Sequence, residues 1–145
     1  VALGADYAYE ESGKYYFAKD ATWCDGVLAT VKMLALLTAS GRKLGELAET
    51  LPRYSQVKEM VTCPDRAKAT VMDKVRAIWE EEGREGRKAD LTIDGLKRTY
   101  EDRSWVLIRK SGTDPVIRVY SDARTEARAR ELVEWGKSVV ARAIS

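Results

Sequence analysis

Two runs of alternating side chains, Trp105–Lys110 and Val116–Ser121, are separated only by Ser111-Gly112-Thr113-Asp114-Pro115. A connection that short joins antiparallel neighbours, because a parallel crossover needs about a dozen residues or more. In the first run Trp105, Leu107 and Arg109 alternate with Val106, Ile108 and Lys110, so both faces of the strand carry bulk. A further strand is expected at Gly95–Tyr100. A closing helix over Thr125–Ala143 offers Leu132, Val133, Trp135, Val139 and Val140 for burial. Upstream, Arg53–Cys63 alternates weakly through Val57, Val61 and Cys63 and reads as a strand. Pro64 suits the first turn of a helix and Asp65 its positive end. Ala67, Val71, Val75, Ile78 and Trp79 then form one apolar stripe, closed by Gly83. The charged run Gly83–Asp90 reads as an exposed connection. The order strand, helix, three strands, helix argues an α+β fold: an antiparallel four-stranded sheet with helices on one face.

The stretch before Arg53 has a different character and reads as a separate, incomplete unit. Tyr15-Tyr16-Phe17 suggests a short strand by its aromatic content. Asp25-Gly26 precedes an apolar segment, Val27–Leu37, in which Val27, Leu28, Val31, Leu34 and Ala35 fall at helical spacing. That pattern predicts a buried helix with Gly41 just past its end. Leu44, Leu47, Ala48 and Leu51 predict a second, short helix stopped by Pro52. The domain division is drawn at 1–41 and 42–145. The chain opens on Val1, with no cap or basic region, and the expectation is a piece cut from something longer, a processed terminus being the alternative.

Composition narrows the chemistry. The 25 basic and 23 acidic residues nearly cancel, and a net charge of +2 gives no strong field for nucleic acid or a membrane. Tyr100, Trp105 and Tyr120 would serve as stacking platforms for RNA, but they serve equally well as core residues, and the balanced charge argues against that reading. The sequence has no histidine, which excludes a serine–histidine triad, a histidine zinc site and a histidine general base within it. Cys24 and Cys63 sit in no metal-ligand spacing, and a reducing cytoplasm is the default reading. No apolar run approaches the length of a membrane span.

Chemistry concentrates in the connection between the last two strands. Arg109 offers a planar fork of donors able to grip two phosphate oxygens. Ser111 and Thr113 add hydroxyls, and Gly112 lets the backbone turn so that neighbouring N–H groups point inward as an anion nest. Pro115 stiffens the exit, and Arg118 stands three residues further on. The set suits a dianionic phosphate monoester. Spacing alone does not separate that reading from a polar hairpin with an incidental arginine.

The run Arg109–Pro115 resembles the phosphate-binding signature of the α-D-phosphohexomutases, arginine-any-serine-glycine-threonine-glutamate-proline, with Asp114 where glutamate is usual. The continuation Val116-Ile117-Arg118-Val119-Tyr120 is also similar to that family. Glu10-Glu11-Ser12-Gly13-Lys14 resembles its sugar-binding loop, glutamate-any-serine-glycine-histidine, with Lys14 in place of the histidine. Asp25-Gly26 opens the apolar helix as the family does before its last domain.

The resemblance implies a fold, a reaction and a site. The fold would be the TBP-like C-terminal domain of the phosphohexomutases, preceded by a remnant of the third, sugar-binding domain. The reaction would move a phosphoryl group between the 1 and 6 positions of a hexose, through a phosphoserine and a bisphosphorylated sugar, with Mg2+ in support. Arg109, Ser111, Gly112, Thr113 and Arg118 would hold the substrate phosphate, and Glu10 and Ser12 would bond sugar hydroxyls. Without the resemblance, Glu10 reads as a solvated acid and Ser12 as a turn-capping hydroxyl. Lys14 could contact a phosphate, or act as a base if its pKa fell well below the usual value of about 10.4; a plain surface lysine is the alternative. Neither the family's aspartate-rich metal loop nor its phosphoserine loop has a counterpart here. The expectation is therefore a chain without the first two domains, with no catalytic residue or metal ligand of its own and inactive alone. Its partners would be a hexose phosphate and the missing catalytic domains. A stand-alone phosphosugar-binding module is the alternative.

Overall fold

The computed structural model describes residues 4–10, 12–21 and 23–145. Glu11 of the sugar-loop resemblance and Val1 of the chain opening lie outside them. The chain divides into two compact units, Val1–Pro52 and Arg53–Ser145. The division falls at Arg53, where the sequence changes character.

In the first unit, strands β1 (Tyr7–Glu10) and β2 (Lys14–Phe17) form an antiparallel hairpin, with Tyr7 opposite Phe17 and Glu10 opposite Lys14. Only β2 was expected. The apolar segment forms helix α1 (Gly26–Ser40). Asp25 caps its start by accepting from the Leu28 N–H at 2.8 Å. Gly41 ends it with φ of 63°, donating its N–H to Leu37 O at 3.1 Å. The expectation of a buried helix is corrected: no residue of α1 is buried, and Val27 is 77% exposed. Periodicity identifies a helix, but burial requires a partner surface, and the contact of α1 with β2 leaves its side chains exposed. Helix α2 (Leu44–Ala48) follows.

The second unit is a five-stranded antiparallel sheet, in the order β3-β7-β6-β5-β4. The strands are β3 (Ser55–Thr62), β4 (Arg87–Leu91), β5 (Leu96–Tyr100), β6 (Trp105–Lys110) and β7 (Val116–Ala123). A single turn of 3-10 helix, Asp65–Ala67, leads into α3 (Lys68–Glu81), and α4 (Glu126–Ile144) closes the chain. Burial alternates along β5, β6 and β7. Leu96, Val106, Ile108, Ile117 and Val119 pack with Val71, Val75 and Trp79 of α3 and with Leu132, Val133, Val139 and Val140 of α4. Both helices therefore cover the same face of the sheet. Tyr100 belongs to that core, while Trp105 and Tyr120 lie half-buried on the opposite face under Lys97 and Lys58. Gly136 of α4 lets the helix approach β7 closely, since a Cβ there would lie 2.6 Å from Val119 Cγ1.

The sheet has one strand more than the four expected. Strand β4 comes from the charged run read as a connection, pairing Ala89 with Thr99 and Asp90 with Arg98 after a register irregularity at Arg87. Arg-Lys-Ala-Asp-Leu shows no apolar alternation, because an exposed edge strand needs none and charges there discourage pairing with other chains. What holds it is Arg98, fully buried on β5. The guanidinium donates to Asp90 Oδ1 at 3.0 Å and Oδ2 at 2.9 Å, to Trp79 O at 2.9 Å and to Glu82 O. It lies 4.6 Å from the centre of the Trp79 ring, which is tilted against Trp135.

Candidate phosphate-binding site

The hairpin of β6 and β7 carries Arg109 and Arg118 directly opposite each other, in the register pair next to Lys110–Ile117 at the loop. Both lie on the face away from the helices. Like charges directly opposite on a sheet repel, so the pair requires nearby negative charge. Two carboxylates supply it. Asp94 Oδ2 accepts from Arg109 Nη1 at 2.6 Å, and Asp114 Oδ2 accepts from Arg118 Nη2 at 2.7 Å. The Nε atoms of both arginines are inaccessible and have no hydrogen-bond partner among the described residues.

Within the loop, Ser111 is buried and acts as a hub. Its Oγ accepts from the N–H of Asp114 at 3.1 Å and of Thr113 at 3.4 Å, and donates to Asp114 Oδ2 at 3.1 Å. Thr113 Oγ1 donates to the same oxygen at 2.9 Å. Hydrogen bonds from Arg118, Thr113 and Ser111 hold the Asp114 carboxyl below the usual carboxylate range. The exit is fixed by the Cys63 N–H donating to Pro115 O at 2.9 Å. Gly112 differs from expectation: it takes no positive φ, and nothing lies within 4 Å of where its Cβ would stand.

Two participants were not read from the sequence. Lys68, the first residue of α3, is buried and donates its ammonium protons to Ser111 O at 2.8 Å and to Asp114 O. It also pairs with Asp65 Oδ1 at 2.6 Å. Nothing in a helix-start pattern marks this lysine as a loop anchor. Asp94 did leave a signal, the Asp94-Gly95 pair before a strand, where a glycine often marks close backbone approach. Gly95 has φ of 95°, and a Cβ there would meet Ile108 O and lie 2.6 Å from Arg109 Cβ. Only glycine lets the β4–β5 turn lie against Arg109.

In the first unit, the hairpin turn brings Glu10, Ser12 and Lys14 together. Ser12 Oγ donates to Glu10 Oε2 at 3.2 Å, and Lys14 Nζ lies 3.2 Å from the same oxygen. The hydrogen bond and charge of Glu10 raise the Lys14 pKa above its ordinary value. That is opposite in direction to what a lysine base requires.

Among the described residues, no group of three or more aspartate, glutamate or cysteine side chains is placed to hold a metal ion. Among the described residues no helix is long and apolar enough to cross a membrane.

An antiparallel sheet backed by two helices, with an arginine-flanked loop between two of its strands, defines an α+β domain. Residues 60–134 match the family model for the phosphoglucomutase/phosphomannomutase C-terminal domain, and residues 1–54 match that for the alpha/beta/alpha domain III of the same family. The chain belongs to the phosphoglucomutase/phosphomannomutase family. It is 38% identical, over 93% of its length, to a phosphoglucomutase/phosphomannomutase of Thermococcus kodakarensis, and spans 28% of that relative. It is 36% identical, over 90% of its length, to a probable phosphoglucosamine mutase of Methanothermobacter thermautotrophicus, and spans 29% of it. A phosphopentomutase of Thermococcus kodakarensis is 37% identical over 92% of the chain, which spans 30% of that protein. Among solved structures, a phosphoglucomutase/phosphomannomutase family protein from Burkholderia thailandensis matches with a TM-score of 0.76 and 25% identity, over 98% of this chain and 29% of that one.

Proposed function

We propose that this chain is the substrate-phosphate and sugar-binding end of a phosphohexomutase that interconverts hexose 1- and 6-phosphates, with glucose and mannose phosphates as the preferred substrates and amino-sugar phosphates as the alternative. The observation that carries this reading is the convergence of donors in the loop on an anion: Arg118, Ser111 and Thr113 all bond the Asp114 carboxylate. A donor set already arranged around one carboxylate is arranged for another oxyanion. Arg109 provides the planar fork that a phosphate engages at two points, and it exchanges Asp94 for the ligand when it does so. Asp94 is 74% exposed, so its ion pair is a weak surface contact that a dianion can replace.

In this reading, Glu10 and Ser12 contact sugar hydroxyls, and Lys14 contributes charge rather than proton transfer. The phosphoserine and the Mg2+ belong to domains outside this chain, which acts in the cytoplasm and contributes positioning only. Holding the non-reacting phosphate fixes the sugar for transfer at its other end.

The test is a titration of the chain with glucose 6-phosphate, inorganic phosphate and glucose. Both phosphates bind and glucose alone binds far more weakly. Arg109→Ala weakens phosphate binding by about ten- to a hundredfold, the equivalent of roughly 1.5–3 kcal/mol for a charge-assisted hydrogen bond. Arg109→Lys restores only part of this, since it keeps the charge but not the fork. Equal phosphate affinity for wild type and Arg109→Ala, with both folded, means the loop is only a hairpin.

A further inference from the structure

We infer that Lys68 is a positioning residue for the phosphate loop, holding its peptide oxygens away from the anion and adding a fixed positive charge against its backbone. The inference rests on the phosphate-site reading above and names a residue of that site outside the loop itself. Lysine is almost never fully buried unless its charge is paired or used. An ammonium has three donors and no acceptor. In Lys68 all three have partners: Ser111 O, Asp114 O and Asp65 Oδ1. Two of the three are main-chain oxygens of the loop, 43 and 46 residues away in sequence.

Those two carbonyls decide how the loop can meet an anion. A carbonyl oxygen facing the mouth would repel a phosphate. Each instead accepts from the lysine ammonium, and Asp114 O also accepts from the Val116 N–H at 2.7 Å. Within the turn, the Asp114 N–H and the Thr113 N–H converge on Ser111 Oγ. Ser111 and Asp114 bracket Gly112 and Thr113, so one ammonium pins both shoulders of the open turn. Asp65 is the exposed partner, with 80% of its side-chain surface accessible, whereas Lys68 has 7%. The carboxylate therefore faces water and the ammonium faces the loop.

The experiment titrates inorganic phosphate into the whole chain and follows the amide resonances of Gly112 and Thr113. Lys68→Met is expected to bind about tenfold more weakly, the equivalent of one charge-assisted hydrogen bond. Lys68→Arg keeps the charge and can bond both carbonyls, and it is expected to recover to within about threefold of wild type. Asp65→Asn removes only the water-facing partner and changes affinity by less than about twofold. Arg109→Ala is run alongside. If Arg109→Ala loses phosphate while a folded Lys68→Met binds as wild type does, the inference is wrong and the site reading stands. If Arg109→Ala binds as well as wild type, or wild type binds no phosphate, the site reading fails and this inference with it. Should Lys68→Met not fold, Lys68→Arg decides: a folded Arg variant as weak as tenfold below wild type overturns the role given to charge and carbonyl grip.

Discussion

Replacing Arg98 by methionine should destabilise the second unit by about 3 kcal/mol, the low end of the cost of breaking a buried ion pair by removing one partner. The low end applies because part of the network survives. Asp90 keeps Arg87 at 3.6 Å and the Trp79 indole N–H at 3.3 Å, and its side chain is 17% exposed, so the carboxylate can rehydrate. The carbonyls of Trp79 and Glu82 lose their donor outright. With a urea dependence of about 1.5 kcal/mol per molar, the unfolding midpoint falls by about 2 M. Tryptophan fluorescence is a direct probe, since Trp79 and Trp135 both lie against the guanidinium. The pH dependence gives a second reading of the same bond. Burial pushes the Asp90 carboxyl up, but the hydrogen bonds and charge of Arg98, with help from Arg87, leave it below its ordinary value. A depressed carboxylate contributes stability that is present above the unfolded value of about 3.9 and is lost as pH falls through the folded value. The gap between wild type and Arg98→Met should therefore be widest near neutrality and narrow below about pH 4. A cost under 1 kcal/mol, or one that stays constant from neutral pH to pH 3, would refute the assignment of Arg98 as the clamp on β4.

Asp94→Asn should raise phosphate affinity by about two- to fivefold at low salt, because a weak surface ion pair no longer competes for Arg109; calorimetry showing unchanged or weaker binding would instead make Asp94 an orienting partner. The purified chain should show no hexose phosphate mutase turnover with magnesium and a bisphosphorylated sugar present, as measured by a coupled assay; turnover above the buffer background would overturn the division of labour proposed for it.

The strongly patterned elements were legible in the sequence. Trp105–Lys110 is a strand with the same bounds in the structure, and the stripe Val71, Val75, Trp79 is buried as its spacing implied. The loop Arg109–Pro115 was legible too, because its donors are contiguous. Side-chain alternation and helical periodicity are local properties, written into each segment by the geometry of the backbone. Strand β4 was not legible, since an edge strand can pair without apolar alternation and its hold on the sheet is a buried arginine eight residues away. The exposure of α1 was misread for a related reason: its period is local, but burial belongs to the surface opposite it. Lys68 and Asp94 reach the loop from other elements, across 43 and 15 residues. Tertiary structure alone decided that a helix-start lysine faces two loop carbonyls and that a turn aspartate faces Arg109, because proximity between distant residues is created only when the sheet and its helices close around a common core.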